Sequence, residues 1–268
     1  MPLFYRPSET EKKILFLHIP KNGGTTIEHF FRDHVMFRQE PQYLYTPWDK
    51  FVKRSLIYQS RCSLQHLTFR ETLKILPPTF WETIDRVFVV FRNPYDRLLS
   101  EYWYLKKKVF VRPLDYDIWG LDPETVQRGL SDFDSFIQFA KDGYDRDPSF
   151  LDNHFIPQME FLQGMEHDKI LQKFFFRFED LATGTLFQDL IHSLDLKLPL
   201  SSLSSSKKPK PKNKHTPVND TTRWSKATED TIRTWYKIDF ESFGYPMNND
   251  HVVDAETERG VARLQKAE

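Results

Sequence analysis

Residues 14–26 read ILFLHIPKNGGTT, and this stretch constrains the chain more than any other. The apolar run from Ile14 to Ile19 ends at Pro20. A lysine, an asparagine, two glycines and two threonines follow, and then a helical pattern from Ile27 onward. This is the order of a buried strand, a tight glycine-bearing turn and the first turn of a helix. Such a turn aims backbone N–H groups and the positive end of a helix dipole at one small volume, which suits a phosphate or a sulfate. An ordinary strand-to-helix turn would use the same glycine for its backbone and a threonine for its cap, so the stretch alone leaves both readings open. A nucleotide-kinase loop needs GxxxxGK[ST]. Here the lysine precedes the glycines and no glycine stands five positions before Gly24, so that order is absent.

The rest of the chain supplies partners for this unit. RVFVVF (86–91) is a continuous apolar run, the mark of a strand covered on both faces. Asn93 then offers an N-cap and Pro94 a first helical residue, so a helix is expected there, ending near the cations at 106–108. KFFFRF (173–178) reads as a third strand and EDLATGTLFQDLIHSL (179–194) as one helix. Further helices are expected at 25–35, at 63–76 before Pro77 and Pro78, at 132–140, 153–162 and 225–238. Residues 1–12 read as a loose lead-in, 36–60 as irregular, 109–131 as loop, 201–217 as a low-complexity basic linker or loop, and those after 247 as a polar tail. Strands alternating with helices argue for an α/β fold with a parallel sheet, in a single domain over 1–268 with its core at 14–245.

A second anion signal lies in VFVVFRNPYDRLLSEYW (87–103). Arg92 ends the strand and Ser100 stands two turns into the following helix, with Arg97 and Tyr104 near it along the helix at i−3 and i+4. An arginine suits phosphate because its planar fork binds oxygens in pairs. The two motifs together resemble those of sulfotransferases that use 3′-phosphoadenosine 5′-phosphosulfate: PKNGGTT resembles their 5′-phosphosulfate loop, and RNPxxRxxS their 3′-phosphate motif. The form HIPKNGGTT looks most like the membrane-type carbohydrate enzymes, the heparan sulfate 6-O-sulfotransferases among them. The resemblance implies a P-loop-like three-layer sandwich with a central parallel sheet flanked by helices, the sulfotransferase fold. It assigns Lys21 to the bridging oxygen and leaving phosphate, and Asn22, Gly23, Gly24, Thr25 and Thr26 to the 5′-phosphate through amides and hydroxyls. It assigns Arg92 and Ser100 to the 3′-phosphate. KPKNKHTP (210–217) stands where relatives place a loop over the cofactor, which brings in Asn213 and Lys214, although a solvated basic linker reads equally well.

An alcohol that attacks sulfur must lose a proton, so a histidine or carboxylate is expected near the opening turn. His66 lies between the two motifs, in the interval where the resemblance places a catalytic histidine, and is the first choice of base. His154 comes second. With Gln158 it stands in DNHFIPQMEFL, a segment that the resemblance places along the acceptor cleft. His18 and His29 rank lower, and Glu28 and Asp33 are carboxylate alternatives left unranked. No HExxH, CxxC or EF-hand pattern occurs, so no metal is expected. The 38 basic and 38 acidic residues balance, which argues against generic binding to nucleic acid or a membrane surface. Cys62 is the single cysteine, so no intrachain disulfide forms. No signal peptide or apolar window of about 18 residues is visible, and a cytoplasmic enzyme is the expectation. The expected reaction moves a sulfuryl group to a hydroxylated saccharide, glycolipid or small metabolite, leaving 3′,5′-ADP. A nucleotide-dependent phosphotransferase and a non-catalytic sulfotransferase-like binding protein are the alternatives.

Overall fold

The computed structural model describes residues 3–6, 9–34, 65–75, 78–111, 121–165, 171–196, 222–248 and 252–253. In chain order they form β1 (Leu3–Arg6), β2 (Glu9–Leu17), α1 (Gly24–His34), α2 (Phe69–Ile75), α3 (Pro78–Trp81), β3 (Ile84–Phe91), α4 (Pro94–Val111), α5 (Pro123–Gly129) and α6 (Phe133–Arg146). A short turn (Phe150–Asn153) and a 3-10 segment (Gln158–Leu162) follow, then β4 (Gln172–Arg177), α7 (Asp180–Thr183), α8 (Leu186–Ser193), β5 (Trp224–Ser225), α9 (Lys226–Trp235), α10 (Lys237–Phe243) and β6 (Val252–Val253). The chain divides into two compact units: Met1–Arg92 with Ser149–Lys214, and Asn93–Pro148 with His215–Glu268.

The first unit is built on a sheet of order β1-β2-β3-β4. β2, β3 and β4 run parallel, with Phe16 beside Phe88 and Phe88 beside Phe174, and β1 pairs antiparallel with β2. Successive residues of a strand point to opposite faces. Ile14 through Leu17 and Val87 through Val90 are all buried, so both faces of the central strands are covered. On one face α1 and α8 pack Ile27, Phe30, Phe31, Leu186, Phe187 and Leu190 against Phe16, Phe88 and Phe176. The rings of Phe16 and Phe88 stack at 4.6 Å, and those of Phe30 and Phe187 at 4.2 Å. Truncating one such phenylalanine costs about 3–5 kcal/mol, a large share of a domain's ~5–15 kcal/mol. This is the α/β fold expected of a sulfotransferase, a central three-stranded parallel sheet flanked by helices. The three parallel strands end at Leu17, Phe91 and Arg177, and ligand crevices of such sheets open at these carboxyl ends.

In the second unit, Tyr102 of α4, Phe133 and Phe136 of α6 and Trp224 of β5 form an aromatic core. The Phe133 and Trp224 centroids lie 4.8 Å apart, and those of Tyr102 and Phe136 5.5 Å. Among the described residues no helix is long and apolar enough to cross a membrane.

Several local expectations are corrected. Within the lead-in expected at 1–12, residues 3–6 and 9–12 are strand rather than loose, because β1 pairs with β2 and draws the polar residues from Glu9 into the sheet. The helix expected at 63–76 begins only at Phe69, because Thr68 and Glu71 cap it reciprocally. The Thr68 amide donates to the Glu71 carboxylate at 2.7 Å, and the Glu71 amide to the Thr68 hydroxyl at 3.2 Å. The stretch 179–194 breaks into two helices at Gly184, whose φ is 86°. Residues 153–162 form a turn and a 3-10 segment rather than a helix. The loop expected at 109–131 holds the end of α4 and all of α5, which Asp122 caps and Pro123 starts. The cations at 106–108 therefore do not close α4, and Lys106 donates to the Tyr102 hydroxyl at 2.8 Å. The helix expected at 225–238 divides at Tyr236, and Val252–Val253 pair with Trp224–Ser225. Residues 36–60 and the basic stretch 201–217, Asn213 and Lys214 included, lie outside the described residues.

Candidate active site

The anion loop leaves β2 at Leu17 and enters α1 at Gly24. Lys21 holds a left-handed φ of 67°, uncommon for a residue with a side chain, and Gly23 follows with φ 83°. Arg92, just past the end of β3, fixes this turn by donating from Nη1 to the Lys21 carbonyl at 3.0 Å. The same guanidinium lies over the Phe178 ring, 4.4 Å from its centroid. A Cβ at Gly23 would stand 2.6 Å from that ring, so glycine is required there by space as well as by backbone. The helical ladder opens with the Thr26 and Ile27 amides donating to the Gly23 carbonyl. The Asn22 amide turns to the Ile19 carbonyl at 3.4 Å. Of the five amides expected around the anion, those of Gly23, Gly24 and Thr25 thus remain at the helix start, ahead of the ladder. Thr25 is exposed there and Thr26 is buried.

Gln158, expected along the acceptor cleft, is fully buried and ties the loops after β2 and β3 together. Its Oε1 accepts from Asn22 Nδ2 at 2.7 Å and from the Arg92 amide at 3.0 Å, and its Nε2 donates to the Arg92 carbonyl at 2.8 Å. Asn22 Nδ2 also donates to the Val90 carbonyl at 2.8 Å. Gln158→Ala is expected to lower stability by roughly 2–4 kcal/mol, since each buried group left unsatisfied costs about 1–3 kcal/mol. Urea melts would read this, and an unchanged midpoint would remove Gln158 from this role.

His66 sits in the turn before α2 rather than on a helix. Its Nδ1 meets Asp152 Oδ2 at 2.7 Å, and Asp152 is fully buried. Leu151, Asp152 and Asn153 are consecutive left-handed residues with φ of 49°, 64° and 62°. Such conformations cost of order 1–3 kcal/mol each and persist where the surroundings enforce them. Asn153 Nδ2 does this by donating to the His66 carbonyl at 2.9 Å and to the Glu71 carboxylate at 3.1 Å. The strained turn thus delivers a buried carboxylate to one nitrogen of His66 and orients the ring. With a proton on Nδ1, Nε2 carries the lone pair. Burial pushes the His66 imidazole below its ordinary value, with Asp152 opposing, so the ring is held in the form that accepts a proton.

Two more histidines flank it. The His154 ring lies edge-on to His66 at 5.0 Å, and the His18 ring does so at 5.0 Å as well. His18 Nδ1 lies 3.2 Å from Glu28 Oε1, and Gln65 Nε2 reaches both at 3.2 Å. Burial lowers the His18 value, with Glu28 opposing. Burial alone would raise the Glu28 carboxyl, but the His18 hydrogen bond and charge bring it below its usual range. Ligand atoms of His66, Asp152 and His154 lie within 4.8 Å of one another, a group that could receive a divalent metal. In that group His66 Nδ1 and Asp152 Oδ2 are hydrogen-bonded to each other.

The first unit therefore brings together Lys21, Asn22, Gly23, Gly24, Thr25, Thr26, Arg92, His66, His154 and Gln158. Ser100 belongs to the second unit, buried on α4. Sequence reasoning ranked His18 low and missed Asp152 and Asn153, which read as a helix cap before His154. For His18 a signal was present: it follows Phe16 by two positions, on the same side of the chain, and its ring stacks on Phe16 at 5.2 Å.

Comparison with curated proteins and with solved structures gives no match. A family model described as "Sulfotransferase family" matches residues 8–246, a span that contains both anion motifs and the His66–Asp152 pair. The chain belongs to the sulfotransferase family.

Proposed function

We propose that the protein moves a sulfuryl group from 3′-phosphoadenosine 5′-phosphosulfate to the hydroxyl of a saccharide, glycolipid or small metabolite, and that it works in the cytoplasm. The donor supplies the activated sulfuryl group and departs as 3′,5′-ADP. The residues suit such an anion: a lysine, an arginine and the amides at the start of α1 are all donors. Lys21 and the amides of Gly23, Gly24 and Thr25 hold the 5′-phosphate and offset the charge that grows on it, an effect larger in the transition state than in the ground state. The sequence motif assigns Arg92 and Ser100 to the 3′-phosphate, and the resemblance brings Asn213 and Lys214 to the 3′-phosphate or the adenine. The acceptor oxygen attacks sulfur, the bond from sulfur to the phosphate oxygen breaks, and the hydroxyl proton passes to His66 Nε2. Asp152 orients His66 and stabilises the imidazolium, and His154 lines the acceptor side. No metal takes part.

One observation carries this reading: an Asp-oriented, largely buried histidine stands in the same unit as the lysine-bearing anion loop, linked to it through His18. A thermal-shift comparison tests it. At a ligand concentration of 100 Kd, 3′,5′-ADP contributes about 2.7 kcal/mol to stability, which raises Tm by roughly 5–10 °C. ATP with magnesium gives little shift. The reverse pattern would return the chain to the phosphotransferase reading.

A further inference from the structure

The two glycines of the anion loop are required for different reasons. Gly23 has a left-handed φ, whereas no left-handed φ sets Gly24 apart, so its backbone alone does not call for glycine. What forbids a side chain there is His18: a Cβ on Gly24 would stand 1.8 Å from His18 Nε2 and 2.2 Å from Cε1. His18 is thus seated in the space that Gly24 leaves at the start of α1, with its ring against the residue whose amide opens the helix. Its other nitrogen is turned to Glu28, one helical turn further along α1. Gln65 Nε2 donates to Glu28 Oε1 at 3.2 Å beside that pair, and Gln65 is joined covalently to His66. The far edge of the contact is His66 itself, ring against ring at 5.0 Å and 86°.

We infer that His18 is a positioning residue for the reaction: seated on Gly24 and oriented by Glu28, it sets the placement of the proton-accepting His66 against the anion loop. This rests on the sulfuryl-transfer reading of that loop. The inference explains why a buried polar ring stands where a buried strand would otherwise carry an aliphatic side chain. A hydrocarbon could fill the space at Gly24 but could not bind Glu28. A short amide could bind Glu28 but could not reach Gly24.

These two halves separate by mutation. Gly24→Ala is expected to weaken 3′,5′-ADP binding at least about 10-fold, since the methyl group and the His18 ring cannot both keep their places. His18→Asn retains a donor toward Glu28 and vacates the space, so His18→Asn/Gly24→Ala is expected to recover most of that affinity. His18→Asn alone should keep near-native 3′,5′-ADP affinity yet lose about 10-fold or more in kcat, because His66 is no longer braced. His18→Phe should fill the space and still lose kcat. The inference is overturned if Gly24→Ala is equally harmful in the His18→Asn background, or if His18→Asn retains native kcat. Melting temperatures of the same four proteins report the packing relation without any nucleotide. If the wild-type chain binds no 3′,5′-ADP, the sulfuryl-transfer reading fails, while a Gly24→Ala loss in Tm rescued by His18→Asn still establishes the packing, and its absence refutes it.

Discussion

His66→Ala is expected to lower kcat by about 10²–10⁴-fold, the usual contribution of a positioned base, with 3′,5′-ADP affinity nearly unchanged. The split between the two constants is the test. If His154→Ala produces that split and His66→Ala does not, the base is His154. Asp152→Asn should reproduce much of the effect, because an amide in place of the carboxylate leaves His66 free to take the wrong tautomer and no longer offsets the charge it acquires. The pH dependence has a definite sign. Burial holds His66 and His18 below their ordinary value of 6.5, so the base form of His66 persists below that value and the acid limb of kcat falls on the acid side of pH 6.5. An unfolded chain takes up these protons first as pH drops. Both groups therefore contribute stability that is present above about 6.5 and lost as pH falls through their folded values. Urea melts at about pH 7.5 and pH 5.5 should show the loss, and it should shrink in the His66→Ala protein.

Lys21→Ala is the second large effect. Removing one fixed donor at a site of developing charge typically costs about 10²–10³-fold in rate, and the fold should survive because Lys21 lies on the turn rather than in the sheet core. The left-handed φ of 67° adds a control. Lys21→Gly suits that conformation better than alanine by about 1 kcal/mol, so it should be the more stable of the two variants and just as inactive. Native turnover in either variant would remove the lysine from the chemistry. Reduced turnover in Lys21→Ala alone would mean that backbone strain, not charge, was responsible.

Much of this site was legible in the sequence where the physics is local. The apolar run before PKNGGTT, the run RVFVVF and the run KFFFRF are the three parallel strands. In the first two, continuous burial leaves a continuous apolar signature, whereas in the third only Phe176 is buried and Phe175 is 53% exposed. The turn after the first was readable from its glycines, and Arg92 from its place at a strand end. The missing parts depend on contacts distant in sequence. Nothing near Asp152 announces that its carboxylate meets a histidine 86 positions earlier, and although Asp and Asn tolerate the left-handed region, a run of three that begins with Leu is not read from them. Gln158 reads as a residue of the acceptor cleft, and nothing local announces that its amide pairs with the Arg92 backbone and with Asn22. The capping pair Thr68 and Glu71, and the Asp122-Pro123 start of α5, were present as local signals and were outweighed by the spacing of leucines and by the irregular composition of 109–131.

The most direct measurement follows the sulfuryl group itself. The protein is incubated with 3′-phosphoadenosine 5′-[³⁵S]phosphosulfate and fractionated saccharide, glycolipid and metabolite extracts, and labelled organic products are separated and identified by mass spectrometry. The account predicts a labelled, hydroxyl-linked sulfate ester formed in equal amount with 3′,5′-ADP, and its disappearance with Lys21→Ala and with His66→Ala. Tight binding of 3′,5′-ADP with no transfer of label to any fraction would contradict it and leave the chain a binding protein built on an enzyme's fold.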